Sequence, residues 1–318
     1  MKRLVSLLLP AVWLFLSACA SVAPIHSNEV VYLAPDLELP FWGYLAKGVE
    51  VEAKKGGYGF RALSSRNNAA TQLRNAEEMI AKGVVGIVLS PTDSSTAPSV
   101  LARAAKANIP VVVADIGANS GEYVSFVTTD NHEGAYQVGK ALAEAVQQKG
   151  GGSVGVVSLS LLRNNGKLRT EGVQQALAES KLKESGLVEM HDYTADETAG
   201  FTQDLLATNP GMRGLFVQAD APALGAVRAI RAAGRDIVVA CFDGTPETLD
   251  CLRNGEILAA AMQQPGLMGR RAAEALIAHL QGKKVDREIF VPILLVTGQS
   301  LDEQLPAIRE HVFASSAR

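Results

Sequence analysis

Phe41, Trp42, Asp115, Arg169, Tyr193, Asp243 and Gln263 are the residues of this 318-residue chain whose types suit the grip of a small polar molecule. Carboxylates and an amide pair with hydroxyls, a guanidinium forks to two oxygens, and flat rings cover C–H faces. The same carboxylates admit a catalytic reading, with Asp115 and Asp243 as a glycosidase pair. That chemistry needs a separation of about 5 to 9.5 Å and one carboxyl of raised pKa. The chain shows no glycine-rich phosphate loop, no Gly-x-Ser-x-Gly elbow and no metal-ligand spacing among its histidines and cysteines. Binding without turnover accounts for these residues, so no enzyme activity, no cofactor and no metal site is expected.

Each residue also has a plainer role open to it. Phe41 and Trp42 are consecutive and so point about 100° apart on a helix, which leaves one of them to pack a core. Asp243 precedes Gly244-Thr245-Pro246 and could cap the next helix, although a strand end favours ligand contact. Asp220 is expected to cap a helix at Ala221 or to order its loop. Arg169 could pair with Glu171 on the surface. Thr92 and Asp93 read as turn formers, and Arg270-Arg271 as a solvated helix face.

The elements that must position these residues follow from the apolar pattern. Short runs rich in Val, Ile and Leu alternate with stretches at helical period: Val30 to Ala34 then Phe41 to Lys55, Phe60 to Ser64 then Ala69 to Lys82, Gly86 to Leu89 then Ala97 to Ala107, and Val111 to Ala114. Runs apolar on both faces belong to central strands of a parallel sheet covered by helices on each side. The alternation pauses near Phe126 to Thr129. After the helix Ala135 to Lys149 it resumes at Ser153 to Ser158, then Leu187 to Tyr193, Gly214 to Val217, Val238 to Phe242 and Ala259 to Met262. Helices are expected at Arg169 to Leu182, Ala221 to Ala233 and Met268 to Leu280. Two similar α/β halves emerge, each a doubly wound parallel sheet. Open sheets of this kind bind ligands beyond the carboxyl ends of their strands, which is where most of the polar and aromatic set falls.

Composition narrows the class. With 47% hydrophobic and 20% charged residues the chain is globular and long enough for two domains. A net charge of -3 offers no basic field for nucleic acid, which is excluded as a partner. At the N-terminus, Lys2 and Arg3 precede the apolar stretch Leu4 to Leu16 and then Leu16-Ser17-Ala18-Cys19, which resembles a lipobox. Residues 1–18 are thus expected to be a signal peptide, Cys19 the lipidated residue and 19–28 a tether; an ordinary cleavage site at Ser17-Ala18-Cys19-Ala20 is the alternative. The apolar stretch is shorter than the roughly 20 residues a membrane span requires, so membrane contact is expected through the anchor only. Ala20, rather than Asp, after the cysteine points to periplasmic anchoring at the outer membrane. Cys241 and Cys251 could form a disulfide in an oxidising compartment or remain separate buried thiols.

The fragments Leu39-Pro40-Phe41-Trp42, Ser90-Pro91-Thr92-Asp93-Ser94, Ala114-Asp115, Thr129-Asp130-Asn131, Arg169-Thr170-Glu171-Gly172, Phe242-Asp243-Gly244-Thr245-Pro246 and Gln263-Gln264-Pro265 stand in this order. On them, from Val30 to Leu295, the chain resembles the periplasmic sugar-binding proteins of the ribose-binding type. The resemblance implies the type I periplasmic binding protein fold: two doubly wound lobes, 29–128 plus 264–292 and 129–263 plus 293–318, joined by a three-stranded hinge and closing on the ligand as a monomer. It implies Phe41 and Trp42 on one side of a sugar ring, Tyr193 opposite, and Asp115, Arg169, Asp243 and Gln263 as polar contacts. The chain departs from the ribose type at Leu39, Ile116 and Ala219, where Asn, Arg and Asn are expected. Those losses predict a ligand with fewer hydroxyls than ribose or a different shape. The partner is then an inner-membrane ABC permease or, as the alternative, a membrane kinase or cyclase read through a ligand-sensing co-receptor.

Overall fold

The structure, a computed structural model, describes residues 27–315. The expected signal peptide and lipidated Cys19 lie outside the described residues. Eight elements form the first run: β1 (Glu29–Ala34), α1 (Pro40–Lys55), β2 (Gly59–Ser64), α2 (Ala69–Ala81), β3 (Gly86–Leu89), α3 (Ala97–Lys106), β4 (Val111–Ala114) and β5 (Ser125–Thr128). A second run follows: α4 (Asn131–Gln148), β6 (Ser153–Ser158), α5 (Asn164–Glu179), β7 (Lys183–Glu189), α6 (Ala195–Thr208), β8 (Met212–Val217), α7 (Asp220–Ala233), β9 (Val238–Phe242), α8 (Pro246–Arg253) and β10 (Ala259–Met262). The chain ends with α9 (Pro265–Leu280), β11 (Glu288–Phe290), β12 (Leu294–Thr297), α10 (Leu301–Ala307) and a π-helical turn, Ile308–Val312.

These elements make two α/β lobes. One sheet has the order β11-β5-β4-β3-β1-β2 and is parallel throughout. The other has the order β12-β10-β9-β8-β6-β7 and is parallel except for β12, which runs antiparallel to β10. Central strands such as β3, β4 and β10 are buried at every residue because helices cover both faces, whereas the edge strands β2 and β7 stay partly exposed. Two apolar layers accordingly flank each sheet.

Although late in the chain, α9 packs in the first lobe, against α1. Glycines let the two backbones meet: a Cβ on Gly48 would lie 2.1 Å from the Gly266 carbonyl oxygen, and one on Gly269 would lie 2.1 Å from that of Leu45. The chain crosses between lobes after β5, between β10 and α9, and between β11 and β12. Side by side, these crossings are bonded to one another. The Val291 N–H donates to the Thr128 carbonyl (2.7 Å), the Thr129 hydroxyl to the Val291 carbonyl (2.6 Å), and the Gln264 amide to the Pro292 carbonyl (2.7 Å).

Several local expectations shift. The strand expected at Leu187 to Tyr193 is β7, Lys183–Glu189, so Tyr193 lies in the following loop. As an edge strand it needs no continuous apolar run, and the Leu187-Val188 signal marks only its end. The helix expected to start at Arg169 starts at Asn164, which puts Arg169 in its second turn and buries it instead of leaving it to a surface pair with Glu171. Asn164-Asn165-Gly166 has no apolar period to reveal it. Arg270 is only partly solvated: its Nη2 donates to the Glu310 carbonyl at 2.8 Å and its Nε is enclosed, while Arg271 pairs with Glu274 at the surface. Cys241 on β9 and Cys251 on α8 are separate thiols.

Candidate functional site

β4 and β9 stop at Ala114 and Phe242, and the next residue in each case is an aspartate in the left-handed region, Asp115 at φ 69° and Asp243 at φ 63°. Tyr193, in the loop after β7, does the same at φ 57°. Each such non-glycine residue costs about 1 kcal/mol in backbone strain, and strain of this kind gathers at binding sites. All three side chains line one pocket between the lobes, of about 520 Å³ including its open mouth. Phe41, Trp42, Arg169 and Gln263 line it too, so the residues singled out from the sequence converge there.

The C-terminal lobe supplies a connected polar cluster. Arg169 Nε donates to Asn131 Oδ1 at 2.8 Å, and its Nη1 donates to the Gln218 carbonyl at 2.8 Å and to Asp243 Oδ2 at 3.4 Å. Its guanidinium carbon sits 3.7 Å from the centre of the Phe242 ring. Gln263 Nε2 donates to Asp243 Oδ1 at 3.1 Å. Burial pushes the Asp243 carboxyl up, and Arg169 and Gln263 oppose that rise. Asp243 does not cap α8; Thr245 does, through a reciprocal box with Thr248. Asp220 is the first residue of α7 and not its cap, a position that falls to Ala219; its Oδ1 accepts the Ala221 N–H at 2.7 Å, and it also lines the pocket. Burial, and then repulsion from Asp243, raise its carboxyl to about 7.

The N-terminal lobe contributes rings and one carboxylate. Phe41 and Trp42 meet edge to face, with centroids 4.8 Å apart and planes at 82°. Trp42 is the one that packs the core, at 5% exposure, and Phe41 is half-buried beside it. Asp115 is 2% exposed; burial lifts its carboxyl to about 6 against the pull of Arg169. Its Oδ2 accepts from Asn165 Nδ2 of the other lobe at 2.8 Å. Asp115 Oδ1 and Gln263 Oε1 are enclosed and have no protein partner. Buried acceptors left this way are costly, which makes them the natural receivers of donors from a bound molecule.

Arg163 and Asn165 were not read from the sequence as site residues. The strand-end rule points to them directly after β6, but placing the helix start at Arg169 drew attention past them. Arg163 reaches across the cleft: its Nε donates to the Thr92 carbonyl at 2.9 Å and its Nη2 to Asn67 Oδ1 at 3.0 Å, while its guanidinium covers the Tyr193 ring at 4.4 Å. Ser94 adds further cross-lobe bonds, its N–H to the Leu162 carbonyl (3.3 Å) and its hydroxyl from the Asn164 N–H (3.0 Å). Thr92 thus serves the cleft through its backbone, and Asp93 is a turn former that accepts the Ser95 and Thr96 N–H groups. Of the three departures from the ribose type, Leu39 and Ala219 line the pocket. Ile116 does not; it is fully buried in the N-terminal core.

Two lobes, a laced hinge and a pocket between them walled by strand-end side chains define a cleft-type binding protein. Residues 30–284 match the family model described as a periplasmic binding protein domain, and the chain belongs to that family. It is 32% identical over 287 residues to the ribose import binding protein RbsB of Escherichia coli (strain K12), covering 89% of this chain and 95% of that protein. The Bacillus subtilis (strain 168) ribose import binding protein RbsB is 31% identical over 310 residues, 93% of this chain and 99% of that one. Among solved structures, an Actinobacillus succinogenes 130z solute-binding protein with bound D-allose superposes with a TM-score of 0.81 at 23% identity, covering 87% of this chain and 100% of that one. A carbohydrate transporter solute-binding protein from Agrobacterium radiobacter, in complex with D-arabinose, superposes at 0.83 and 24% identity over 90% and 99%. Among the described residues, no group of three or more His, Cys, Asp or Glu side chains is placed to hold a metal.

Proposed function

We propose that the protein captures a small sugar or sugar-like molecule between its lobes by hinge closure, without chemical turnover, and presents it to an ABC importer. The observation that carries this reading is the enclosed pair of unpartnered acceptors, Asp115 Oδ1 and Gln263 Oε1, in a pocket walled by Phe41, Trp42 and Tyr193. Hydroxyls satisfy the acceptors and the rings cover the C–H faces. Asp115, Arg169, Asp243 and Gln263 are the polar contacts in this reading. The names of the relatives agree with it, since they include import binding proteins for ribose and for D-apiose. The lobes that close are 29–128 plus 264–292 and 129–263 plus 293–318. Cys19 holds the protein to a membrane facing the periplasm through a thioether-linked lipid, and Ala20 favours the outer one. That anchor also supports a second reading, a co-receptor whose closure is read by a membrane kinase or cyclase; uptake of labelled ligand by cells lacking the protein separates the two.

A thermal-shift screen of the form lacking residues 1–19, against pentoses, hexoses and polyols, tests the capture itself. A ligand at a hundredfold its dissociation constant adds about 2.7 kcal/mol of stability by linkage. Absence of any shift across all three classes would overturn the reading.

A further inference from the structure

Asp115, Asp243 and Tyr193 all take the left-handed backbone beside the pocket, but different things hold them there. The two aspartates follow inner strands, and their N–H groups stay in the sheet: Asp115 donates to the Val127 carbonyl and Asp243 to the Ala261 carbonyl, each at 2.9 Å. Tyr193 follows β7, an edge strand whose last bond to β6 runs from the Met190 N–H to the Ser158 carbonyl at 2.8 Å. His191, Asp192 and Tyr193 run on past the sheet, and one side chain takes all three of their N–H groups. Glu197 Oε1 accepts that of His191 at 2.7 Å, and its Oε2 accepts those of Asp192 at 3.0 Å and Tyr193 at 2.9 Å. Successive N–H groups turned on one anion form a nest, and bonds to a charged acceptor are about twice as strong as neutral ones. Glu197 is the third residue of α6, whose cap, Thr194, accepts its N–H at 3.2 Å. In an ordinary capping box the side chain at this position returns to the N–H of the cap itself. Here it reaches past the cap, while α6 is anchored behind it in the C-terminal core by Leu205 and Leu206. A bulky residue at positive φ persists only where its surroundings over-determine it. Glu197 does not line the pocket, so ligand contact does not account for its geometry.

We propose that Glu197 is a positioning residue for ligand capture: its carboxylate fixes the loop 191–193 so that the Tyr193 ring stands as a wall of the pocket. This rests on the capture of a sugar-like molecule and adds to it a residue that the ligand does not touch. The consequence reaches across the cleft, because the Arg163 guanidinium lies over the Tyr193 ring at 4.4 Å and bonds the opposite lobe at Thr92 and Asn67. Glu197 and Tyr193 belong to the same lobe, so the ring is fixed whether or not the lobes meet. Loss of the carboxylate releases three N–H groups and lets Tyr193 leave the left-handed region. The ring must then be ordered at the expense of binding.

Two substitutions test the assignment. Glu197→Ala removes both acceptor oxygens, and Glu197→Gln, the milder change, keeps the shape and one of them. Hydrogen exchange of the ligand-free protein should show the His191, Asp192 and Tyr193 amides about tenfold or more faster in Glu197→Ala, with Glu197→Gln between it and the parent and the amides of β6 and β8 unchanged. Isothermal titration with D-ribose, D-allose and D-arabinose then ties the loop to capture. For each of these sugars that binds the parent, Glu197→Ala and Tyr193→Ala should both weaken binding about tenfold, and the double variant should be no weaker than Tyr193→Ala alone. Losses that multiply in the double variant would overturn the assignment, because Glu197 would then act by a route other than Tyr193. An affinity unchanged in Glu197→Ala would overturn it as well. If none of the three sugars binds the parent, the failure belongs to the sugar reading, and exchange decides the hold on Tyr193: unchanged rates in both Glu197 variants overturn it, and faster rates uphold it.

Discussion

The N-terminal lobe faces the pocket with Leu39, Phe41, Trp42 and a single carboxylate, whereas the C-terminal lobe faces it with Arg163, Asn165, Arg169, Asp220 and Asp243. Their polar groups are also wired differently. Arg169 bonds to Asn131, Gln218 and Asp243, all on its own side of the cleft, so that cluster exists whether or not the lobes meet. Asp115 gains its partner Asn165 only from across the gap. The C-terminal half of the site is therefore part of what holds its lobe together, while the N-terminal half is free to be a binding surface alone.

Arg169→Ala is the strongest way to break this contrast. It leaves Asp243, Asn131 and the Gln218 carbonyl without their guanidinium, and removal of one partner of a buried pair costs about 3 to 5 kcal/mol. Urea denaturation should show that loss, whereas Asp115→Asn should change stability by less than about 1 kcal/mol and still weaken ligand binding. Equal stability losses in the two variants would erase the distinction between the lobes.

Arg163→Ala sharpens the contrast at the point where the lobes touch. It removes two charge-assisted hydrogen bonds to Thr92 and Asn67 together with the cover on Tyr193. Affinity should fall about tenfold or more, mainly through faster ligand release. Small-angle scattering should show the ligand-free variant more open than the parent; an unchanged scattering profile and release rate would mean that these bonds do not hold the closure.

The smallest effect is expected from pH. Asp115 and Asp220 have carboxyls raised to about 6 and about 7, chiefly by burial, so between pH 4 and these values the folded state holds protons that the unfolded chain has released. Their protonated forms favour the fold, and that contribution is lost as pH rises through about 6 to 7. The melting temperature of the ligand-free protein should decline from pH 5 to pH 8, and Asp220→Asn should flatten the slope. A melting temperature that instead rises across this window in the parent would show that these carboxyls do not titrate as their burial dictates.

Much of this was legible before any coordinates. Apolar runs such as Val30 to Ala34 and Val111 to Ala114 sit in sheets covered on both faces, and only that setting tolerates such runs, so they announced the strands. The strand-end rule then led to Asp115 and Asp243. It missed Arg163 and Asn165 because the first turn of α5, Asn164-Asn165-Gly166, has no apolar period and reads as loop. β11 and β12 escaped for a similar reason: each is short and lies at or next to a sheet edge, where little apolar surface is required.

By itself the sequence determined the alternation of strand and helix, the two halves and most of the polar and aromatic set, because backbone pairing and burial are written in local periodicity. Which residues meet across the cleft was decided only by the tertiary structure. Asn165 beside Asp115 and Arg163 beside Thr92 are separated by 50 and 71 positions in the chain, and their pairing depends on how the two lobes come together about the hinge. Local pattern holds no record of a contact whose partners are brought together by rigid-body placement.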